Sequence, residues 1–323
     1  MYKVIMVPTD GSGFDREAIR VALRIAERSQ AKVRLVRVLA TGSFFGTTAG
    51  ADGMAIAPEV VRSERDRALS ELYSLAAECR ATSKADISID LHAGPVNDVL
   101  QGYARRNDVD LIVISTHGRS GLSRLSLGSV TDSLIRHTTI PVLVVKPSTS
   151  YLNPQARDVF RRIIVPLDGS TLAEQILPRV LMLASLEDAE ITLLNVLVPQ
   201  SYSQKEIVDP SLPWWDKDIS VAQSYLFRIA SNLRHAGVPV TTDIVISENI
   251  ASTIGDFASR EKADLIAIAT HGRGGLNRLL RGSVADAIMH SARISMLVFK
   301  PDKLAEQEVV SSPFFVKKDL MAV

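Results

Sequence analysis

Two short texts each occur twice in this 323-residue chain, and together they limit what it can fold into. The first is an apolar run closed by a turn: Val4-Ile5-Met6-Val7-Pro8-Thr9-Asp10-Gly11-Ser12, returning as Ile163-Ile164-Val165-Pro166-Leu167-Asp168-Gly169-Ser170. The second begins with Leu111-Ile112-Val113-Ile114 and opens into Ser115-Thr116-His117-Gly118-Arg119-Ser120-Gly121-Leu122, closing with Gly128-Ser129-Val130. It returns as Ala269-Thr270-His271-Gly272-Arg273-Gly274-Gly275-Leu276 and closes with Gly282-Ser283-Val284. The aspartates at 10 and 168 are 158 positions apart, and the loop glycines at 118 and 272 are 154 apart. The economical reading is one βα domain present twice, with small length changes in loops.

Within the first copy, apolar runs too short for helices alternate with helical patterns. The strands read as Val4–Val7, Lys32–Leu39, Asp86–Leu91, Leu111–Ile114 and Val142–Val145. The helices read as Asp15–Ser29, with Ile19, Leu23 and Ala26 on one stripe, then Glu59–Cys79, Val96–Arg106 and a pattern through Val130–His137. Strands that alternate with helices imply right-handed crossovers and a parallel sheet covered on both sides. Residues 41–58 are rich in Gly, Ala and Thr and read as a loop. In the second copy, residues 199–218 take that place and contain Pro213-Trp214-Trp215, a packed loop or a partner-binding anchor. The domains read as 1–147 and 160–302, joined by a Ser-, Thr- and Pro-containing linker, 148–159, and followed by a tail, 303–323, with Phe314-Phe315 able to pack.

Composition narrows the function. Hydrophobic residues make up 46% and charged residues 23%, enough for a full core in each half. A net charge of +1 gives no general attraction to nucleic acid or an acidic membrane. One cysteine, Cys79, excludes an internal disulfide, fits a reducing compartment and has no charged partner pattern that would activate it. The first strand begins almost at Met1, and no apolar run approaches the ~20 residues that span a bilayer, so a cytoplasmic location is expected.

The chemistry sits at the strand ends. An anion binds where several backbone N–H groups converge, and close backbone approach needs residues without bulk; Gly118 and Gly128 supply that ahead of a helix start. Ser129 with Asp132, and Ser283 with Asp286, match a capping box, a role compatible with donating to phosphate. Asp10 and Asp168 follow a strand at the edge where open α/β sheets bind ligands; each is either a turn former or an acceptor for a ribose or an amine. His117 and His271 lack a second ligand at metal spacing and read as loop braces, with phosphate contact as the alternative. Arg119, Arg124, Arg273, Arg278 and Arg281 are surface residues, of which one or two could screen a polyphosphate. There is no Gly-Lys-Ser/Thr phosphate loop, no G-x-S-x-G elbow and no base placed for catalysis, so no catalytic residue is assigned.

The combination of Val-Pro-Thr-Asp-Gly-Ser near a domain start with Thr-His-Gly-Arg-x-Gly-Leu and Gly-Ser-Val before the last strand resembles the universal stress protein family, and two copies resemble its tandem form. The resemblance implies, for each half, a five-stranded parallel sheet of order 3-2-1-4-5 with helices on both faces, and pairing of the halves through Val142–Val145 and Met296–Phe299. It implies ATP, with or without Mg²⁺, as a regulatory ligand in stress response. An interaction module without nucleotide and a slow ATPase are the alternatives, and a homodimer is a possible assembly. The family's loop, G-x2-G-x9-G-[S/T], maps onto Ser115 (in place of the first glycine), Gly118, Gly128 and Ser129, continuing into Val130 and Thr131. In the second half it maps onto Ala269, Gly272, Gly282, Ser283 and Val284, with Ala285 in place of the threonine. By the same resemblance Pro8, Thr9 and Asp10, and Pro166, Leu167 and Asp168, border the ribose or adenine, and Val38 and Val196 flank the adenine with main-chain contacts.

Overall fold

The computed structural model describes residues 1–40, 58–115, 128–146, 160–199, 215–270, 283–291 and 294–301. The chain divides into two compact units, Met1–Val159 with Ser295–Val298, and Phe160–Ile294 with Phe299–Val323. The linker 148–159 and the tail 303–323 lie outside the described residues.

The first half runs β1 (Val4–Thr9), α1 (Arg16–Ser29), β2 (Lys32–Ala40), α2 (Pro58–Thr82), β3 (Asp86–Gly94), α3 (Val96–Arg106), β4 (Leu111–Ser115), α4 (Ser129–His137) and β5 (Val142–Val145). Its strand order is β3-β2-β1-β4-β5, with every neighbour parallel. The five strands and four helices of the described residues fall where the alternation places them. Ile5, Met6 and Val7 are fully buried in succession, as a strand covered on both faces requires. Both covers are visible on β2. Arg34 reaches Tyr103 of α3, whereas Arg37, three residues on, reaches Glu71 of α2; an odd spacing along a strand points to opposite faces. Helix α1 buries Ala18, Ile19, Ala22, Leu23, Ile25 and Ala26 and stops at Gln30, whose left-handed φ of 58° turns its N–H back to the Ala26 carbonyl.

The second half runs β6 (Arg162–Pro166), α5 (Thr171–Glu174), α6 (Leu177–Glu187), β7 (Glu190–Leu197), α7 (Trp215–His235), β8 (Val240–Ile246), α8 (Ile250–Arg260), β9 (Leu265–Ala269), α9 (Ser283–Ser291) and β10 (Ser295–Phe299). Its order, β8-β7-β6-β9-β10, repeats that of the first half. The helix after the first strand differs. It is continuous as α1 but split into α5 and α6, with Pro178 in the first turn of α6, where a residue without an N–H costs least. Strand β10 lies antiparallel to β5, Met296 opposite Val144 and Val298 opposite Val142, which carries Ser295–Val298 into the first unit.

Candidate functional site

In the first half the chain leaves β1 toward β2 but leaves β4 toward β5, so the connections diverge between β1 and β4. That is the point where an open α/β sheet forms a crevice at its carboxyl edge. Ile5 is level with Leu111 and Met6 with Ile112, so β1 and β4 end level at Thr9 and Ser115.

The β1 wall is a turn held by its own side chains. Asp10 Oδ1 accepts from the Ser12 N–H at 2.8 Å, the turn-forming role its sequence allows. The Thr9 hydroxyl donates to the Asp15 carboxylate and accepts from the Gly11 N–H. Asp15 precedes α1 but makes no side-chain cap. Pro8 is half-buried beside this turn. Beneath it lies Arg37, 6% exposed, donating to Glu71 at 2.7 Å, while Arg67 donates to the same carboxylate at 2.9 Å. The hydrogen bonds from Arg37 and then Arg67 hold the Glu71 carboxyl below the usual range. Val38 follows Arg37 and faces the α3 side of the sheet.

The β4 wall is the start of α4. Its N-cap is Gly128, with extended φ −62° and ψ 150° and no side-chain cap. This corrects the capping-box expectation: Ser129 is the first helical residue rather than the cap. Asp132 is held by Arg136, whose Nε donates to both carboxylate oxygens at 2.8 and 2.9 Å. A glycine cap offers no side-chain oxygen to the N–H groups of Val130 and Thr131, so among the described residues no cap hydroxyl competes for them. The Thr131 side chain, 2% exposed, donates to the Ser115 carbonyl at 3.1 Å and ties the helix start to the end of β4. Gly118, His117, Arg119 and Arg124 lie outside the described residues.

The second half repeats the frame with other furniture. Asp168 is exposed, and its Oδ1 accepts from both the N–H and the hydroxyl of Ser170, which in turn caps α5 at the Ala173 N–H. Pro166 ends β6, and Asn195, at the place of Arg37, donates its amide to the Leu167 carbonyl at 2.7 Å. Val196 follows. Glu174, 5% exposed, has its carboxyl pushed up by burial, opposed by Arg228 at 3.5 Å and by Tyr225. Burial and the nearby Glu174 push the Tyr225 phenol up. Ala269 closes β9, the Thr270 N–H donates to the Phe299 carbonyl, and Ser283, Val284 and Ala285 form the first turn of α9. Gly272, Gly282, His271, Arg273, Arg278 and Arg281 lie outside the described residues, as does Trp214, while Trp215 begins α7.

Elsewhere, Cys79 is 6% exposed and burial raises its thiol, which agrees with an inert residue. No group of three or more His, Cys, Asp and Glu among the described residues is placed to hold a metal. No described helix is long and apolar enough to cross a membrane. Sequence reasoning passed over the Arg37–Glu71 pair. Its one signal was an arginine continuing the buried alternation Val33, Leu35.

Each half is thus a doubly wound parallel α/β domain with a carboxylate turn on one wall of its switch-point crevice and a helix start on the other. The chain belongs to the universal stress protein family, in tandem form: that family's sequence profile matches residues 1–146 and again 160–300. A universal stress protein of Mycobacterium tuberculosis is 30% identical over 198 residues, which is 59% of this chain and 62% of the relative, so the match spans less than two thirds of that protein. The crystal structure of a universal stress protein from Archaeoglobus fulgidus shares the fold at a TM-score of 0.65 and 17% identity, covering 93% of this chain and 98% of that one. Another structure, of the universal stress protein from A. fulgidus in complex with dAMP, is 21% identical and covers 44% of this chain and 99% of that chain, at a TM-score of 0.34.

Proposed function

We propose that this tandem universal stress protein binds ATP as a regulatory ligand in stress response, in the crevice between β1 and β4 and in its counterpart between β6 and β9. One observation carries the reading: a helix start with a glycine cap, tied by Thr131 to the end of β4, level with the Asp10 turn on the neighbouring strand. Such a start presents backbone N–H groups to an anion, and a carboxylate one strand away suits a hydroxyl or amine. In this reading Ser115, Gly118, Gly128, Ser129, Val130 and Thr131 serve the phosphates, Pro8, Thr9 and Asp10 the sugar, and Val38 the base. Ala269, Gly272, Gly282, Ser283 and Val284, with Pro166, Leu167, Asp168 and Val196, do the same in the second half. The choice of an adenine nucleotide follows the motif resemblance. Mg²⁺ would accompany the phosphates, and the ligand acts in a soluble, cytoplasmic protein.

Calorimetry of the full chain with ATP tests it, alongside nucleotide released by denaturing protein purified without added ligand. Saturable heat that weakens at least tenfold in Asp10→Ala supports the reading. No heat and no released nucleotide defeat it and leave the interaction-module alternative.

A further inference from the structure

Three buried side-chain polar atoms without a hydrogen-bond partner belong to β2, β3 and the first turn of α3: Arg34 Nε, His92 Nε2 and Asn97 Oδ1. They form no random scatter, because the register stacks their residues in layers. The deepest layer is closed around Tyr103, whose hydroxyl donates to Asp90 at 2.6 Å, with Arg34 Nη1 3.8 Å from the same carboxylate. Asp90 is level with Val36; two residues nearer the carboxyl edge, His92 is level with Val38, on the same face of the sheet. The His92 ring stands edge-on to Tyr103, centroids 5.3 Å apart. Above it the chain turns at Gly94, φ 145° and level with Ala40, and Asn97 enters α3 at the carboxyl edge. The unpartnered atoms of His92 and Asn97 therefore belong to residues near the carboxyl edge of the sheet on its α3 side, His92 level with Val38 and two strands from β1. A buried polar group left unpaired is costly, and such groups in a native protein call for a partner.

Among the described residues, the positions of the second half that match His92, Asn97 and Tyr103 are apolar. Val196 faces Val245 in the matching register. With Leu100 and Ala104 aligned to the buried Ile254 and Ala258, Phe257 stands for Tyr103 and Ala251 for Asn97.

We propose that His92 Nε2 and Asn97 Oδ1 read the edge of the adenine base in the first half, and that the second half, apolar at this corner, does not discriminate bases this way. The proposal rests on the reading that the first crevice holds an adenine nucleotide. Its chemistry is complementary. Adenine presents an amine donor beside a ring-nitrogen acceptor; Asn97 Oδ1 accepts from the amine, and His92, in the tautomer with hydrogen on Nε2, donates to the ring nitrogen. Guanine reverses the pattern, setting a carbonyl against Asn97 Oδ1 and an N–H against His92. A site built to hydrogen-bond a substrate group rejects the analogue that lacks or inverts it.

The test is calorimetry on the full chain carrying Asp168→Ala to weaken the second site, with ATP, GTP and purine riboside triphosphate, which lacks the amine. ATP is expected to bind about tenfold tighter than either analogue, the worth of one satisfied buried hydrogen bond. Asn97→Leu is expected to level ATP with purine riboside triphosphate. His92→Phe is expected to narrow the preference for ATP over GTP without abolishing it, because Asn97 Oδ1 still faces the guanine carbonyl, while His92→Gln, which keeps a donor, preserves the preference; the ligand series in the parent protein needs no substitution at this corner. Equal binding of the three nucleotides by the parent, or ratios unchanged in folded variants, overturns base reading while leaving nucleotide binding intact. No binding of any nucleotide, by this protein or the unsubstituted chain, instead overturns the functional reading beneath it.

Discussion

The duplication supplies an internal control for one substitution. Gly11 and Gly169 occupy the same turn after the first strand of each half, with φ of 75° and 82°. Alanine at either position pays about 1–2 kcal/mol for the left-handed conformation. Around Gly169 nothing lies within 4 Å of an added Cβ. Around Gly11 the methyl would meet Arg37 Nη1 at 3.0 Å, Arg37 Cζ at 3.2 Å and Glu71 Oε2 at 3.3 Å. The Arg37 side chain is only 8% exposed, so its guanidinium cannot retreat into water without leaving Glu71. Gly11→Ala is therefore expected to cost about 1–3 kcal/mol more than Gly169→Ala, the penalty for disturbing a buried charged donor. Urea denaturation separates the two halves, because both tryptophans, Trp214 and Trp215, belong to the second and fluorescence follows it, while far-ultraviolet circular dichroism follows both. The pH dependence adds a check. The Glu71 carboxyl is held below its ordinary value of 4.5, so its stabilisation is present above that pH and lost as pH falls through the folded value. The excess cost of Gly11→Ala should therefore shrink as the pH falls below 4.5 and through the lowered folded value. Equal costs for the two substitutions at neutral pH would refute the argument.

Three further outcomes follow from the same geometry. Thr131→Val keeps the shape but removes the hydroxyl that donates to the Ser115 carbonyl, and is expected to cost about 0.5–1.5 kcal/mol in denaturant titration and to weaken ATP binding; unchanged stability would show that the brace is idle. Gln30→Gly, at a left-handed cap with φ of 58°, should stabilise the chain by up to about 1 kcal/mol, and a lower melting temperature would contradict it. Cys79, buried and with a raised thiol, should react with a disulfide reagent at pH 8 only as the protein unfolds; reaction at the rate of free cysteine would place it at the surface.

The sheet was legible because strands covered on both faces are written as unbroken apolar runs. Leu111-Ile112-Val113-Ile114 and Val142–Val145 have no other reading once glycines and helices flank them. Helix α3 matches its predicted span, Val96–Arg106, whereas α2 extends beyond Glu59–Cys79 to Pro58–Thr82, since its ends carry charged residues that mark no boundary. The cap of α4 was misread because a serine at a helix entry is the commoner cap, and only the backbone angles reveal that Gly128 takes that position. The Asp10 and Asp168 turns were legible from Asp-Gly-Ser. The corner built by Arg34, Asp90, His92 and Tyr103 was not, because its members are scattered over about 70 residues and meet only through strand register and the packing of α3. The same holds for Arg37 with Glu71, 34 residues apart.

A crystal of the full chain soaked with ATP addresses the central claim most directly. The account predicts the phosphates against the first turn of α4, at Gly128, Ser129 and Val130, with the sugar beside Asp10. Clear density for nucleotide elsewhere, or a first-half crevice left without it at saturating ATP, would contradict the account.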